Sequence, residues 1–308
     1  KIMIIYECHN VELEMSKFVE VSFTVQFAKS VLKLSIPDLS TQYKVHSWLT
    51  STYMPKLTAV RSQMAKTLEQ TGLKSRLAEF VALERKWSMI ESHWTKLTRF
   101  LDLYNKDNWV MNVDDSRGVK GKKFEFKPID IAPYTEEYLF KRAEKILMMS
   151  ATIMNRAAFC RVLGLNESEV AFISIPSPFD INNRPIITTP IAKMSARDID
   201  ANLPKLAAAV QAILEAHPQE KGIIHCHSYK IAKYLKQHVK TKRLLAHDSF
   251  DRDKVLARHQ TDPRPTVLLS PSMSEGVDLK GDISRFQILC KIPYPYLGDK
   301  LVKKRMNK

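Results

Sequence analysis

Cysteine is scarce in this chain of 308 residues, and its spacing excludes more than its number does. Cys8, Cys160, Cys226 and Cys290 stand far apart in apolar runs, and no C-x-x-C pair occurs. That pattern supports neither a zinc site nor a disulfide framework, and it predicts four buried thiols in a reducing compartment. Long apolar runs are also missing. None approaches the roughly 20 residues a membrane-spanning helix needs, and no signal peptide opens the chain. A membrane partner is therefore not expected. Internal repeats and low-complexity tracts are absent, and so is the phosphate loop G-x-x-x-x-G-K-[ST].

What is present is an ordinary globular composition, 44% hydrophobic and 9% aromatic, long enough for two domains with cores of their own. Its charge is not ordinary. Lys and Arg number 48 against 33 Asp and Glu, a formal +15, of which +5 falls before Ser150 and +10 from Ser150 onward. A basic excess spread along a chain suits a polyanion, because each neutralised phosphate releases condensed counterions. The competing reading is a set of solvated lysines.

The hydrophobic pattern predicts an α/β protein. Lys1–Ile5 is a short, nearly all-apolar strand of the kind buried on both faces of a parallel sheet. From about Phe18 to Asn108 the period turns helical. Leu49, Tyr53, Leu57, Val60, Met64 and Leu68 form one stripe, and Leu77, Phe80, Trp87, Ile90, Trp94, Leu97, Leu101 and Tyr104 a second. With Gly72 between them, they predict an antiparallel helical hairpin in which Trp87 and Trp94 pack between helices. Asn112–Lys123 is expected as a loop, and Phe124–Ile131 as an edge strand because of Pro128. After a helix at Tyr134–Arg142 and a strand at Ile146–Met149, strands and helices alternate. Strands are expected at 222–225, 244–246, 267–269 and 286–290. Helices are expected at about 203–216, with Leu203, Leu206, Val210, Ile213 and Leu214 inward, from Ser228 to about Val239, and at 251–260. Right-handed crossovers then give an open parallel sheet with helices on both faces.

Ligands of such sheets gather beyond the carboxyl ends of strands, which directs attention to four strand exits. They read Tyr6-Glu7-Cys8-His9-Asn10, Ser150-Ala151-Thr152-Ile153, His225-Cys226-His227-Ser228-Tyr229, and Ser270 to Asp278 with Ser272, Ser274, Glu275 and Gly276. Two acids close to a glycine turn are poor core material, because a buried unpaired carboxylate is expensive. In order and spacing these exits resemble motifs II, III, IV and V of superfamily 2 helicases, specifically the XPD/DinG-type branch. That branch carries a helical arch domain between motifs II and III, where the helical insert falls here. FKPIDIAPYTEEYLF before the second exit and IPYPYLGDKLVKKRM after the fourth resemble it too.

The resemblance implies a fold: residues 1–11 and 124–156 as a remnant of a first RecA-like domain, 12–123 as an arch-like insertion, and 157–308 as an incomplete second RecA-like domain. It also implies roles. Glu7 polarises the attacking water and His9 links nucleotide state to the second domain. Ser150, Ala151 and Thr152 couple hydrolysis to nucleic-acid movement. Glu275, Gly276 and Asp278 face the nucleotide, and Ser228, Tyr229, Ser272 and Ser274 the nucleic acid. Each has a plainer alternative: Ser150-Ala151-Thr152 is also helix N-cap chemistry, and Tyr229 could be buried with an ordinary hydrogen bond. The basic cluster Lys300, Lys303, Lys304 and Arg305 could track phosphates or be a solvated helix face.

ATP and Mg²⁺ are the implied cofactors, single-stranded or forked DNA the implied partner, and the cytoplasm of a bacterium or phage host, or another intracellular setting, the implied location. Motif VI, the phosphate loop and the four cysteines of an iron–sulfur domain are not in the chain. It is therefore expected to be the middle of a longer helicase, inactive by itself and without an iron–sulfur cluster. At the position of the motif II aspartate stands Tyr6, and a phenol is a poor Mg²⁺ ligand. Two readings follow: an ATP-dependent helicase moving 5′ to 3′ on single strands, or a hydrolysis-deficient, nucleic-acid-binding homologue. A third class, an interaction module built on the helical insert, predicts protein binding by Phe18–Asn108 and indifference to DNA.

Overall fold

A computed structural model describes residues 1–71, 77–116, 118–273, 277–295 and 297–307. The chain divides into two compact units. The first is Lys1–Ile175, joined by the C-terminal helix, and the second is Pro176–Pro295. Among the described residues no helix is long and apolar enough to cross a membrane.

In the first unit, β1 (Ile2–Tyr6) turns through Cys8–Asn10 into α1 (Val11–Val19), followed by β2 (Val21–Thr24) and α2 (Val25–Ser30). α3 (Gln42–Trp48) runs through a π-helical turn, Leu49–Tyr53, into α4 (Met54–Thr71), and α5 (Leu77–Asp102) returns beside it. Then come β3 (Trp109–Asp114), α6 (Gly118–Gly121), β4 (Lys123–Pro128), α7 (Ala132–Tyr138), β5 (Lys145–Met149) and α8 (Arg156–Leu163). The expected hairpin is α4 with α5; Gly72, its expected stop, lies outside the described residues. Trp94 packs between the helices as expected. Its Nε1–H donates to Thr58 Oγ1 at 2.9 Å, and the Arg61 guanidinium lies 4.3 Å above its ring while bonding Glu91.

Three expectations need correction here. The stretch taken as wholly helical contains β2, and the expected loop 112–123 begins as β3 and includes α6. These strands flank β4, which is the centre of the antiparallel order β2-β4-β3 and not an edge. Pro128 is tolerated because it is the last residue of β4. The Ile129 N–H bonds Asn108 on the β3 side, so the N–H that Pro128 lacks would have faced β2, whose pairing stops at Phe126. Phe23 and its cross-strand partner Phe124 stack at 5.0 Å, and Phe100 of α5 meets Trp109 and Phe126 at 4.9 and 4.8 Å. One core runs from Cys8 and Met15 through these rings to Leu163.

β1 and β5 pair in parallel, Ile2 opposite Lys145 through Tyr6 opposite Met149. Burial on both faces was expected of β1, and the structure differs. Alternate residues are open, with Ile4 63% and Tyr6 74% exposed. A two-stranded sheet covers only the face it lays on the core.

The second unit follows the expected alternation: α9 (Ile199–Ala216), β6 (Gly222–His225), α10 (Tyr229–His238), β7 (Leu244–Ala246), α11 (Arg252–Thr261), β8 (Val267–Ser270) and β9 (Phe286–Leu289). The sheet is parallel throughout, in the order β7-β8-β6-β9. Ile224, Val267 and Leu269 pack under α9 and α10, while Ile223 and Leu268 face Val255 and Leu256 of α11. Ile213, expected inward on α9, is partly exposed, and Ala207 is buried in the stripe with Leu203, Leu206, Val210 and Leu214. All four cysteines are buried and free, as expected. The chain's last helix, α12 (Lys300–Met306), belongs to the first unit.

Candidate functional site

The two strand exits of the first unit converge. β1 ends at Tyr6, and the next residue, Glu7, takes a left-handed conformation, φ 52° and ψ 45°. Such a backbone costs a β-carbon-bearing residue on the order of 1 kcal/mol, and it turns the chain sharply from strand to helix. His9 is thereby held beside the exit of β5. Its Nδ1 lies 2.8 Å from Ser150 Oγ and 3.2 Å from Glu7 Oε2. A carboxylate only accepts, so this geometry favours Nδ1 carrying the hydrogen and sharing it between Glu7 and Ser150. Ser150 Oγ in turn accepts the Thr152 N–H at 3.2 Å and lies 3.4 Å from Thr152 Oγ1.

Residues 141 positions apart thus form one hydrogen-bonded line: Glu7, His9, Ser150, Thr152. Ala151 sits in the turn between the two hydroxyls and is exposed. A pocket of about 270 Å³ opens beside this line, bordered by His9, Glu12, Thr152, Met154, Asn155 and Phe159. The N-cap of the following helix is Asn155, whose Oδ1 accepts the Ala158 N–H at 2.8 Å, so Ser150 and Thr152 are free of that duty. Arg305 is not a phosphate tracker. Its guanidinium bonds Glu12 at 2.8 Å and the Ile129 carbonyl at 2.8 Å, which fastens α12 to the first unit.

In the second unit the parallel register brings the exits of β6, β7 and β8 to one edge of the sheet. Ser228 caps α10, its Oγ accepting the Ile231 N–H at 3.4 Å. Tyr229 is exposed rather than buried, and so is Ser272. Asp278 is exposed and paired with Lys280 at 3.0 Å. Ser274, Glu275 and Gly276 lie outside the described residues.

Sequence reasoning missed the bond that fixes this edge. His247 is buried, with Nδ1 2.8 Å from the Asp248 carbonyl and Nε2 3.0 Å from Ser270 Oγ. A carbonyl cannot donate, so Nδ1 carries the hydrogen and Nε2 accepts from the Ser270 hydroxyl. Ser270 Oγ then accepts the N–H groups of Met273 at 2.8 Å and Ser272 at 3.4 Å. One histidine therefore ties the β7 exit to the β8 exit. A signal was available: a histidine following the apolar run 244–246 in register with a strand ending in Ser. Burial, and after it His227, pushes the neighbouring His225 below the usual histidine range.

In an open parallel α/β sheet ligands bind beyond the carboxyl ends of the strands, and that is the edge where these polar exits gather. Residues 210–308 match the helicase C-terminal domain family. The chain is 26% identical over 200 residues to the ATP-dependent DNA helicase DinG of Photobacterium profundum, covering 60% of this chain and 28% of that protein. It is 23% identical over 186 residues to the ATP-dependent DNA helicase YoaA of Escherichia coli, covering 58% and 29%. Among solved structures, Xpd4 of S. tokodaii aligns over 99% of this chain and 62% of its own, with TM-score 0.47 and 15% identity. Residues 210–308 thus match a helicase C-terminal domain, and about three-fifths of the chain is similar to ATP-dependent DNA helicases. The chain spans less than a third of the length of the curated relatives it matches.

Proposed function

We propose that this chain is the part of an ATP-dependent DNA helicase that links nucleotide hydrolysis to movement along single-stranded or forked DNA. The observation carrying this reading is the hydrogen-bonded line Glu7–His9–Ser150–Thr152. The Glu7 carboxylate is half exposed, open to a water or a phosphate oxygen. His9 has one Nδ1–H for two acceptors. A ligand that engages Glu7 releases that hydrogen to Ser150, and a ligand that leaves returns it. The nucleotide's state is thereby read at Thr152 as a change of hydrogen bonding, with no large motion required of the strands. Asp278, with Glu275 and Gly276, serves the nucleotide, and Ser228, Tyr229 and Ser272, with Ser274, serve the nucleic acid. In the same reading residues 12–123 are the arch-like insertion, and the second RecA-like domain, expected over 157–308, has its core in Pro176–Pro295.

Magnesium fits this strand exit poorly. Its hard oxygen preference would be met by Glu7 alone, since Tyr6 offers a phenol on the open face of the sheet. Among the described residues no three His, Cys, Asp or Glu side chains converge. This favours a second reading, a homologue that binds nucleic acid without turning over ATP.

The test is made in the full-length protein. Glu7→Gln is expected to abolish DNA-stimulated ATP turnover, and His9→Ala or Thr152→Ala to lower unwinding more than turnover. Full turnover in the Glu7→Gln protein would overturn the first reading. Turnover absent in the natural protein and restored by Tyr6→Asp would establish the second.

A further inference from the structure

The β7 exit carries an aromatic ring, Phe250. Phe250 is 96% exposed, and no other aromatic ring among the described residues is as open. The ring is not displayed on a loose loop. Asp248 Oδ1 accepts the N–H groups of Phe250 at 2.6 Å and Asp251 at 3.1 Å, and Asp251 Oδ1 accepts the Asp248 N–H at 2.8 Å. These bonds hold the Asp248 carboxyl below the usual carboxylate range. The turn is fastened to the sheet through His247 and, by the His247–Ser270 bond, to the loop bearing Ser272. Parallel register sets it on the same edge as Ser228 and Tyr229.

A large apolar ring kept in water by a braced turn, at the edge where such sheets bind ligands, has the properties of a stacking platform. Its neighbours narrow the ligand. Asp248, Asp251 and Asp253 surround it in sequence, against Arg252 and Lys254. This local excess of acid repels a phosphate and leaves a neutral, flat, π-faced group as the fitting occupant. We propose that Phe250 stacks on a base of the bound single strand, while the phosphates run toward the exits of β6 and β8. The inference rests on the nucleic-acid reading of the second unit and adds to it a base contact on a strand exit to which no role was given.

The experiment uses the 308-residue chain and two fluorescein-labelled probes at several salt concentrations: an oligothymidylate of about 20 nucleotides, long enough to span a single-strand site, and an abasic strand of equal length with the same phosphates and no bases. Binding of the unaltered chain to both probes, weakening with salt, tests the nucleic-acid reading itself. Absence of binding would overturn that reading and this inference together. Given binding, Phe250→Ala is expected to lower affinity for oligothymidylate by about 5- to 100-fold, leaving abasic affinity and salt slope unchanged. Phe250→Trp should restore it. Equal loss on both probes, or no loss on either, would overturn the stacking contact and leave the nucleic-acid reading standing. Circular dichroism should be the same for all variants, because the ring touches nothing it would leave exposed.

Discussion

The chain builds two parallel sheets from strands of nearly identical chemistry and buries them very differently. β1, Ile-Met-Ile-Ile-Tyr, and β8, Val-Leu-Leu-Ser, would be interchangeable by hydropathy. Every residue of β8 is buried, because β6 and β7 flank it and helices cover both faces of its sheet. Every second residue of β1 is open, because the first unit places its core on one side only. An apolar run records how much burial a strand is suited to, while its neighbours decide how much it receives. Strand exits behave in the opposite way. Both β1 and β6 leave their sheets close to a left-handed residue, Glu7 with φ 52° and His227 with φ 47°, regardless of how well each sheet is covered.

The largest loss of stability is expected where volume is removed from a fully buried strand. Leu268→Ala, in the centre of β8, should cost about 2–5 kcal/mol, read as a fall in the urea midpoint of the second unit. Next comes Gly222, where a β-carbon would lie 2.5 Å from the Phe286 ring across the β6–β9 pair. Gly222→Ala should cost about 1–3 kcal/mol, and a Phe286→Leu background should return much of it.

In the first unit, stability is expected to depend on pH. Burial, and after it Lys96, holds His93 down at about 4, where its Nε2 accepts from the Tyr53 hydroxyl at 2.9 Å. A histidine kept neutral in the fold and free to protonate when unfolded contributes stability that is present above about pH 6.5. That stability is lost progressively as pH falls toward 4. The loss should amount to about 1–3 kcal/mol, and His93→Gln should flatten it.

Smaller still is the coupling between His9 and Ser150. A double-mutant cycle to alanine should give on the order of 1 kcal/mol for their 2.8 Å bond, and near-zero coupling would mean the line does not act as a unit. At the foot of the scale, Ile4→Ala on the open face of β1 should leave the urea midpoint of this chain within about 0.5 kcal/mol.

The second unit was readable almost residue by residue. Its strands alternate with helices over short spans, so hydrophobic period, strand length and turn chemistry all agree. The first unit was not. β2 and β4 lie about a hundred residues apart, and nothing local announces that Phe23 will meet Phe124. Pro128 argued for an edge, and the strand proved central because the proline falls beyond the last β2 pair, Val21 with Phe126. The helicase-like strand exits were legible as polar residues after apolar runs. Which of them touch was not legible: the bonds joining Glu7, His9, Ser150 and Thr152 are seen only in the folded chain. The His247–Ser270 bond and the Arg305–Glu12 pair were not legible, since each joins residues that local pattern treats as unrelated.

The sequence by itself determined the elements of the second unit, their order, the buried thiols and the polar character of each strand exit. These follow from period, side-chain shape and charge, which act over a few neighbouring residues. Only the tertiary structure decided that β4 is central, that one face of β1 stays open, and that His9 stands within reach of Ser150. Those outcomes depend on contacts between residues tens to hundreds of positions apart. Their free energy is set by how the packed pieces fit, and no local window of the chain contains it.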